Sequence, residues 1–420
     1  MLNKKYLNVI YFAMIISVLL LVLSILIFKM EAVYYLTWNG IRGGLMPDLF
    51  ETIWHSRLDN PYAAGAIYPP FCYILLDGFN FFINAPVPML DRFADIRIIS
   101  KSTDGFIIAF IYNFIIFILS IFMITKYYNS YLTKKIIFIF FFFASSPFIY
   151  MFERGNTVIL AMLFLAVFFK WYNSDEFYKV RIALICFAAA ICLKIYPILG
   201  GLILLTNKKY KLIFESIIYT FLIFFIPFFI YNGLESFKNM IDNIMFLSNE
   251  TIVDNRGFGY GFKVSIQNTL LAICDRLNIE YNDWINIFIK INFCLLALAA
   301  IILKRNAYKI LSIMLMMILI PPFSWIYNVV YLYIPFLILC DEDEKCTDKI
   351  NKFDFFIIFL LFLSFVPLPY RFVMRGLDGV NKISLSTFVC SWSMITMAIL
   401  LEYKALKSLL ECFIVKIKSK

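Results

Sequence analysis

The sequence predicts an all-α integral membrane protein, a polytopic helical bundle of about twelve segments. Of its 420 residues, 62% are hydrophobic and only 16% are charged. A soluble domain is nearer half apolar, because its surface must be wetted. The long runs are continuously apolar and do not alternate with polar residues. Since a backbone in lipid must satisfy its own hydrogen bonds, the pattern indicates helices and excludes a β-barrel. We expect one membrane domain over residues 1–420.

The predicted segments follow the breaks between apolar runs. They lie near residues 7–28, 104–125, 136–151, 157–173, 182–194, 195–206, 212–231, 284–303, 308–323, 328–340, 354–369 and 383–402. The first run is too long for a signal-peptide core, so we expect it to remain as the first span. Lysines fill several short hydrophilic breaks, among them Lys4, Lys134 and Lys208. Because basic residues favour the cytoplasmic side, we expect these breaks and both termini to lie there.

Several predicted segments are too short to cross an average bilayer unaided. The pair 182–206 is the clearest case, with Lys194 and Pro197 at its centre. It is either two short spans in a thinned region or a re-entrant hairpin. In both cases Lys194 would reach toward the outer half of the membrane.

The net charge of +10 is spread over short loops and the tail. No basic domain is present, so nucleic acid is a poor candidate partner. The nine cysteines are scattered singly, and neither a metal-binding spacing nor a disulfide framework is visible. No phosphate-binding loop or dinucleotide fingerprint occurs, which argues against an ATP-driven pump. The sequence supports no metal and no cofactor.

Two long loops are predicted on the outer face. The first covers residues 29–103 and contains a short apolar stretch, Phe71–Ile83, typical of a helix lying in the membrane interface. The second covers residues 231–282 and contains glycines alternating with aromatic residues over Asn255–Phe262. Because the cytoplasmic breaks are mostly short, we expect the chemistry to lie on the outer face.

Asp48 is the first candidate for chemistry. A carboxylate near the membrane surface beside aromatic rings suits a general base that acts on a hydroxyl group. The alternative is an ordinary loop acid or a helix N-cap, since Pro47 precedes it.

Arg154, Asn156 and Lys194 are the next candidates. A charge pair between apolar segments is costly and is usually kept for substrates or partners. Arg154 could clamp a phosphate, and Asn156 could cap the following helix so that its N–H groups face the same anion. The alternative is a structural pair between Glu153 and Arg154. Lys194 either reaches the interface or lines an internal site for an anionic ligand.

Other polar residues carry weaker signals. His55 is the only histidine, so a histidine-metal cage cannot be built. In the second loop and just before the next span, Arg256, Lys263 and Gln267 are candidates for contacts with a lipid headgroup or a sugar.

Three motifs together resemble a known family. The first is Asp48 ahead of Asn60–Tyr62 and Tyr68–Pro70, the second is Glu153–Asn156, and the third is Leu193–Pro197 about forty residues later. Their order and spacing over roughly residues 30–210 resemble glycosyltransferase family 87 of the GT-C superfamily. The second half of the chain is similar in topology alone. The resemblance implies an integral membrane enzyme that takes its sugar from a polyprenyl-phosphate carrier.

The resemblance also implies roles for single residues. Asp48 would accept the proton of an acceptor hydroxyl in an inverting transfer, and Arg154 with Lys194 would stabilise the departing phosphate. Because Leu49-Phe50-Glu51 follows Asp48 where family members often have an aromatic and then a small or amide residue, Glu51 or Asp59 could share or replace its role.

Within the same motifs, Tyr68 and Tyr196 are expected to contact substrate. A second departure is Thr157-Val158, which stands where family members often have an acid.

The chain is also similar to serotype-converting O-antigen glucosyltransferases in length, in its two large outer loops and in a re-entrant hairpin. This likeness implies a hexose, with glucose favoured, a glycan acceptor such as O-antigen, and the inner membrane of a bacterium.

Two other functions are compatible with the topology. One is an O-antigen polymerase or ligase, which would use arginines of a late outer loop such as Arg371 and Arg375. The other is a lipid-linked glycan flippase or transporter, but no convincing internal repeat is present.

Overall fold

The computed structural model describes residues 5–37, 46–83, 92–253, 261–277, 279, 284–345, 351–376 and 379–418. These residues are predominantly helical, with one short two-stranded sheet. The prediction of an all-α membrane protein is confirmed.

The first half of the chain forms twelve α-helices within the described residues. They are α1 (Lys5–Phe28), α2 (Met30–Leu36), α3 (Pro47–Ser56), α4 (Pro70–Asp77), α5 (Arg92–Lys101), α6 (Thr103–Tyr127), α7 (Leu132–Ala144), α8 (Ser146–Arg154), α9 (Val158–Trp171), α10 (Phe177–Leu193), α11 (Leu202–Thr206) and α12 (Tyr210–Phe225).

The second half continues with further helices and the hairpin. They are α13 (Leu234–Val253), α14 (Ile266–Leu277), α15 (Trp284–Ile302), α16 (Asn306–Leu319), α17 (Tyr333–Lys345), α18 (Lys352–Phe365), β1 (Arg371–Gly376), β2 (Gly379–Ser384) and α19 (Leu385–Lys418). Short 3₁₀ segments occur at Pro61–Ala64, Gly78–Phe82, Tyr196–Gly201, Ile226–Ile230 and Ile326–Leu332.

Five described helices are long and apolar enough to cross a membrane: Leu7–Phe28, Thr103–Tyr127, Tyr210–Ile230, Trp284–Ile302 and Leu385–Cys412. The other predicted segments are shorter helices packed among them. Helix α16 is an example, because nearly all its residues are buried. A helix that is apolar on all sides and surrounded by protein needs no lipid contact, which is why short segments read as spans in the sequence.

The predicted span 136–151 is not one straight helix. Helices α7 and α8 meet at Ser145 with a bend of 53°. Taken together as one bent segment, they are long and apolar enough to be a sixth candidate span. Pro147 lies in the first turn of α8, where its missing N–H costs no helical hydrogen bond. The bend directs the C-terminal end of α8 toward the segment between α1 and α6.

The predicted pair 182–206 is a hairpin. Helix α10 ends at Leu193, Lys194 is extended, and the chain continues as the 3₁₀ turn Tyr196–Gly201. A Cβ atom at Gly200 would lie 3.1 Å from the ring of Phe187 on α10, so the chain has doubled back. This turn is compatible with both predictions for the pair, two short spans and a re-entrant hairpin.

In the first loop, residues 62–66 pack against residues 228–243. Asn243 on α13 donates hydrogen bonds to the carbonyls of Tyr62 (2.8 Å) and Ala66 (3.0 Å). The rings of Tyr62 and Phe228 lie 5.7 Å apart. Within the first loop, the stretch predicted as an interfacial helix is helical, as α4 and the 3₁₀ turn that follows it. Most of the glycine-rich stretch of the second loop, residues 255–260 with Arg256, lies outside the described residues, whereas Gly261 and Phe262 are described.

The hairpin of β1 and β2 was not predicted. Arg371 pairs with Ser384 at its open end, and Gly376 pairs with Gly379 at its turn. Asp378-Gly379 is a turn signal. It was missed because the segment lies between two apolar runs and is too short to stand out from them. The guanidinium of Arg371 donates to the backbone carbonyls of Tyr34 and Thr37 at the C-terminal end of α2.

Candidate functional site

Asp48 lies in the first turn of α3, where a negative charge is favoured by the helix dipole. It is not the N-cap residue, because Met46 occupies that position in a left-handed conformation with φ 50°. Asp48 is buried, and its carboxylate accepts hydrogen bonds from a distant segment. It is therefore not an ordinary loop acid.

Arg154 and Asn156 hold the two oxygens of this carboxylate. A guanidinium nitrogen of Arg154 forms an ion pair with Oδ1 of Asp48. The side-chain amide of Asn156 donates to Oδ2 at 2.7 Å. The ion pair of Arg154 is thus made with a residue 106 positions earlier in the chain, and not with the adjacent Glu153 as the structural alternative supposed.

Gly155, between these two residues, sets the approach of α8 to α3. Its φ of +64° ends α8 in the left-handed conformation that glycine tolerates. A Cβ atom at this position would lie 2.8 Å from the Cβ atoms of both Met46 and Leu49. Only glycine lets the end of α8 pack this closely on the start of α3.

Asn156 is fixed by further hydrogen bonds. Its Oδ1 accepts from the N–H of Val158 at 3.0 Å, at the beginning of α9. Its carbonyl accepts from the hydroxyl of Tyr112 at 3.2 Å. Because the amide oxygen is bound to an N–H, the amide nitrogen must face Asp48. Asn156 thus accepts from the first N–H of α9, from the position before the N-cap residue Thr157, and a role of this helix end in binding an anion stays a prediction.

Lys194 lies in the same region, at the extended end of α10. It is buried, and its Nζ lies 3.6 Å from the centre of the Tyr68 ring. It also interacts electrostatically with Asp48 and Arg154. We call Asp48, Tyr68, Arg154, Asn156 and Lys194 the Asp48 cluster.

Tyr68 is held by its backbone. Its N–H donates to the hydroxyl of Tyr73 at 3.1 Å, and its carbonyl accepts from the hydroxyl of Tyr62 at 2.9 Å. Burial, with the nearby Asp48 carboxylate as a second cause, raises the pKa of Tyr68 well above its usual value. The phenol therefore stays neutral, and its ring face is free to stabilise a cation.

Two residues near the cluster were missed at the sequence level. Tyr327 interacts electrostatically with Asp48 and Tyr68. Tyr196 interacts electrostatically with Tyr68, and its hydroxyl donates to Oδ1 of Asn328 at 3.5 Å, which places Asn328 beside the cluster. The available signal was the aromatic run Trp325–Asn328, which follows two prolines between apolar segments.

The remaining acids of the first loop lie differently. Glu51 is half-buried one turn after Asp48, whereas Asp59 is exposed beyond the C-terminal end of α3. Their catalytic roles stay predictions. His55 is buried against the rings of Trp54 and Tyr73, and burial lowers its pKa to about 4. A neutral imidazole at physiological pH follows.

Lys263 and Gln267 lie in a second region. Both are buried. The backbone of Phe262–Val264 pairs with Ser324–Ile326, through N–H···O distances of 2.8 Å. The ring of Phe262 packs on Tyr150 of α8 at 4.8 Å. Unlike the ring of Phe262, the side chain of Lys263 lines a cavity between α14 and α19, and burial lowers its pKa to about 8.

The Asp48 cluster combines one acid, two cations and an aromatic face. This set can accept a proton and stabilise an anionic leaving group with preorganised charges. Among the described residues, no group of three or more histidine, cysteine or acidic side chains could hold a metal ion.

The model of glycosyltransferase family 87 matches residues 67–324. The chain belongs to glycosyltransferase family 87. The match includes Tyr68, Arg154, Asn156 and Lys194 but begins after Asp48. It also extends well beyond residue 210, so the likeness in the second half is more than topological. No curated protein matches the chain.

Proposed function

We propose that this family 87 glycosyltransferase is an inverting enzyme that moves a hexose from a polyprenyl-phosphate carrier to a glycan. The observation that supports this most is the Asp48 carboxylate held by Arg154 and Asn156 next to Lys194. An acid beside two cations matches a reaction in which a hydroxyl loses a proton while a phosphate leaves.

In the proposed reaction, Asp48 accepts the proton of the acceptor hydroxyl as its oxygen attacks the anomeric carbon. The bond between that carbon and the phosphate oxygen breaks, and the electron pair leaves with the polyprenyl phosphate. Arg154 and Lys194 stabilise the charge that develops on the phosphate. The donor phosphate competes with Asp48 for Arg154, so donor binding frees a carboxylate oxygen for the proton.

The proposed setting is the outer face of a bacterial cytoplasmic membrane, with both termini in the cytoplasm and the loops 29–103 and 231–282 outside. We favour glucose as the sugar and a surface glycan such as O-antigen as the acceptor. These choices depend on the likeness to serotype-converting glucosyltransferases. Deleting the gene should remove one hexose from an otherwise intact polymer, as seen by mass spectrometry of surface glycans.

The assignment of the base is tested with Asp48→Asn in membranes supplied with a polyprenyl-phosphate sugar. We expect the rate to fall by about 10²–10⁴, the usual contribution of general base catalysis. Asp59→Asn is the matched control, because Asp59 is exposed on the same loop. Full activity of Asp48→Asn would assign the base elsewhere.

The same gene deletion separates the alternative functions. Shortened chains of normal composition would indicate a polymerase or ligase. Loss of all surface glycan, with lipid-linked precursor accumulating inside, would indicate a flippase.

A further inference from the structure

A cavity of about 270 Å³ lies between α14, β2 and the beginning of α19. This is close to the lower limit of about 300 Å³ for small-molecule sites. None of the described residues that line it belongs to the Asp48 cluster. Phe262 packs on Tyr150 of α8, and the next residue, Lys263, lines the cavity.

The polar part of the cavity suits an anion. Lys263 is buried beside the rings of Phe323 (5.2 Å) and Trp325 (5.6 Å), and Arg276 lies exposed at the rim. The described residues that line the cavity include no acid. Thr387 is buried in the wall, and its hydroxyl has no hydrogen-bond partner in the described part of the chain. A buried hydroxyl without a partner is costly unless something occupies the cavity.

The apolar part lies where a membrane boundary is expected. Thr387, Phe388, Ser391 and Trp392 all come from the first turns of α19, whose segment Leu385–Cys412 is apolar enough to span a bilayer. Phe388 and Trp392 remain 43% and 40% exposed. Tryptophan at the end of a span is typical of the interface, where lipid headgroups lie.

We propose that this Lys263 cavity binds the headgroup phosphate of an anionic membrane phospholipid, with an acyl chain against Phe388 and Trp392. Basic pockets between membrane helices bind anionic headgroups in this manner. A bilayer phospholipid is the occupant we infer, because the cavity lies at the end of a membrane helix and shares no described lining residue with the Asp48 cluster. The inference does not depend on the reaction proposed above.

The test uses the purified full-length protein and native mass spectrometry. Phosphatidylglycerol is compared with zwitterionic phosphatidylcholine of the same chains, with a polyprenyl phosphate and with inorganic phosphate. We expect wild type to retain phosphatidylglycerol preferentially. Lys263→Gln should reduce that preference roughly five- to tenfold, the effect of one basic residue near an anionic headgroup.

Two further variants keep the result interpretable. Ala272→Phe fills the cavity without removing a charge and should also abolish the preference. Lys238→Gln removes an exposed lysine on α13 and should leave it unchanged. Thermal unfolding of each variant verifies that it is folded. If one of the two cavity variants is unstable, the loss of preferential binding in the other still tests the proposal.

Equal retention of phosphatidylglycerol and phosphatidylcholine by wild type would overturn the proposal. So would stronger binding of polyprenyl phosphate, which would make the cavity a substrate site. Displacement of the lipid by inorganic phosphate at equal concentration would show a simple anion site and would also refute it.

Discussion

The Asp48 cluster and the Lys263 cavity both place a buried lysine against an aromatic ring. Nζ of Lys194 lies 3.6 Å from the ring centre of Tyr68, and Nζ of Lys263 lies 5.6 Å from that of Trp325. They differ in their acids. Lys194 has Asp48 as an electrostatic neighbour, whereas the described lining of the cavity contains no carboxylate.

This difference indicates that both regions can bind an anion but that only one can also take part in proton transfer. A lysine with an aromatic neighbour can hold an anion in either region. Only the region with a buried, hydrogen-bonded carboxylate can also accept a proton. Variants of Arg154 and Lys263 test whether the two regions are independent, and variants of His55 and Gly155 test the stability and packing of the region around Asp48.

After Asp48→Asn, the largest effect is expected from Arg154→Gln. Removing one preorganised charge that stabilises a leaving group costs about 10²–10³ in kcat. Retention of phosphatidylglycerol in the Lys263 cavity should stay within about twofold of wild type, because the guanidinium pairs with Asp48 and does not line that cavity. Turnover and native mass spectrometry measure the two. If both fell together, the regions would form one site.

At acidic pH, protonation of His55 in the unfolded chain should lower the stability of the region around Asp48. Burial lowers the pKa of His55 from 6.5 to about 4, so the unfolded chain binds more protons between these values. The free energy of unfolding is therefore at its full value above about pH 6.5. It decreases as the pH falls toward 4, by about 3 kcal/mol at most.

Thermal unfolding in detergent from pH 7.5 to pH 4.5 measures this effect. His55→Asn should flatten the pH profile, since no other histidine is present. An unchanged profile in that variant would assign the acid sensitivity to other groups.

Gly155→Ala tests how closely the cluster is packed. A left-handed conformation costs a residue with a side chain about 1–2 kcal/mol. At Gly155 the new methyl group would also collide with Met46 and Leu49. We expect a lower Tm and a rate loss larger than instability explains, because Arg154 moves away from Asp48.

Gly233→Ala is the matched control. Gly233 also has positive φ, at 58°, but nothing lies within 4 Å of an added Cβ. It therefore carries the conformational cost without the collision. Equal losses in both variants would mean that contact between α8 and α3 is unimportant.

The smallest effect concerns the Lys263 cavity. Because burial lowers the pKa of Lys263 to about 8, its ammonium is lost as the pH rises through that value. Retention of phosphatidylglycerol over phosphatidylcholine should fall roughly fivefold between pH 7 and pH 9. In Lys263→Gln the preference should be independent of pH over this range. A pH response that persists there would contradict the assignment of the effect to Lys263.

The sequence predicted the fold class and the residues of the Asp48 cluster, since both depend on local signals. Apolar runs predict helices, and charges between apolar segments predict sites. The resemblance to family 87 linked Asp48, Arg154 and Lys194 before any contact between them was known. The family match now confirms that resemblance, and the structure brings the three side chains together.

Tertiary pairing could not be predicted in the same way. The choice of Asp48 over Glu153 as partner of Arg154 depends on the bend between α7 and α8 and on the contact at Gly155. The Lys263 cavity depends on segments from residues 263 and 392 meeting in space. No local pattern encodes such a meeting, and without aligned homologues no co-variation reveals it.

The hydrogen bonds from Arg371 to the end of α2 have a consequence for the order in which the protein assembles. Its guanidinium secures the carbonyls of Tyr34 and Thr37, more than 330 positions earlier in the chain. During synthesis, α2 is made long before Arg371 leaves the ribosome. The carbonyls at the C-terminal end of α2 therefore lack this donor until the last eighth of the chain is being made. A chain released early would resemble a finished enzyme in its first spans, yet its α2 would lack this anchor.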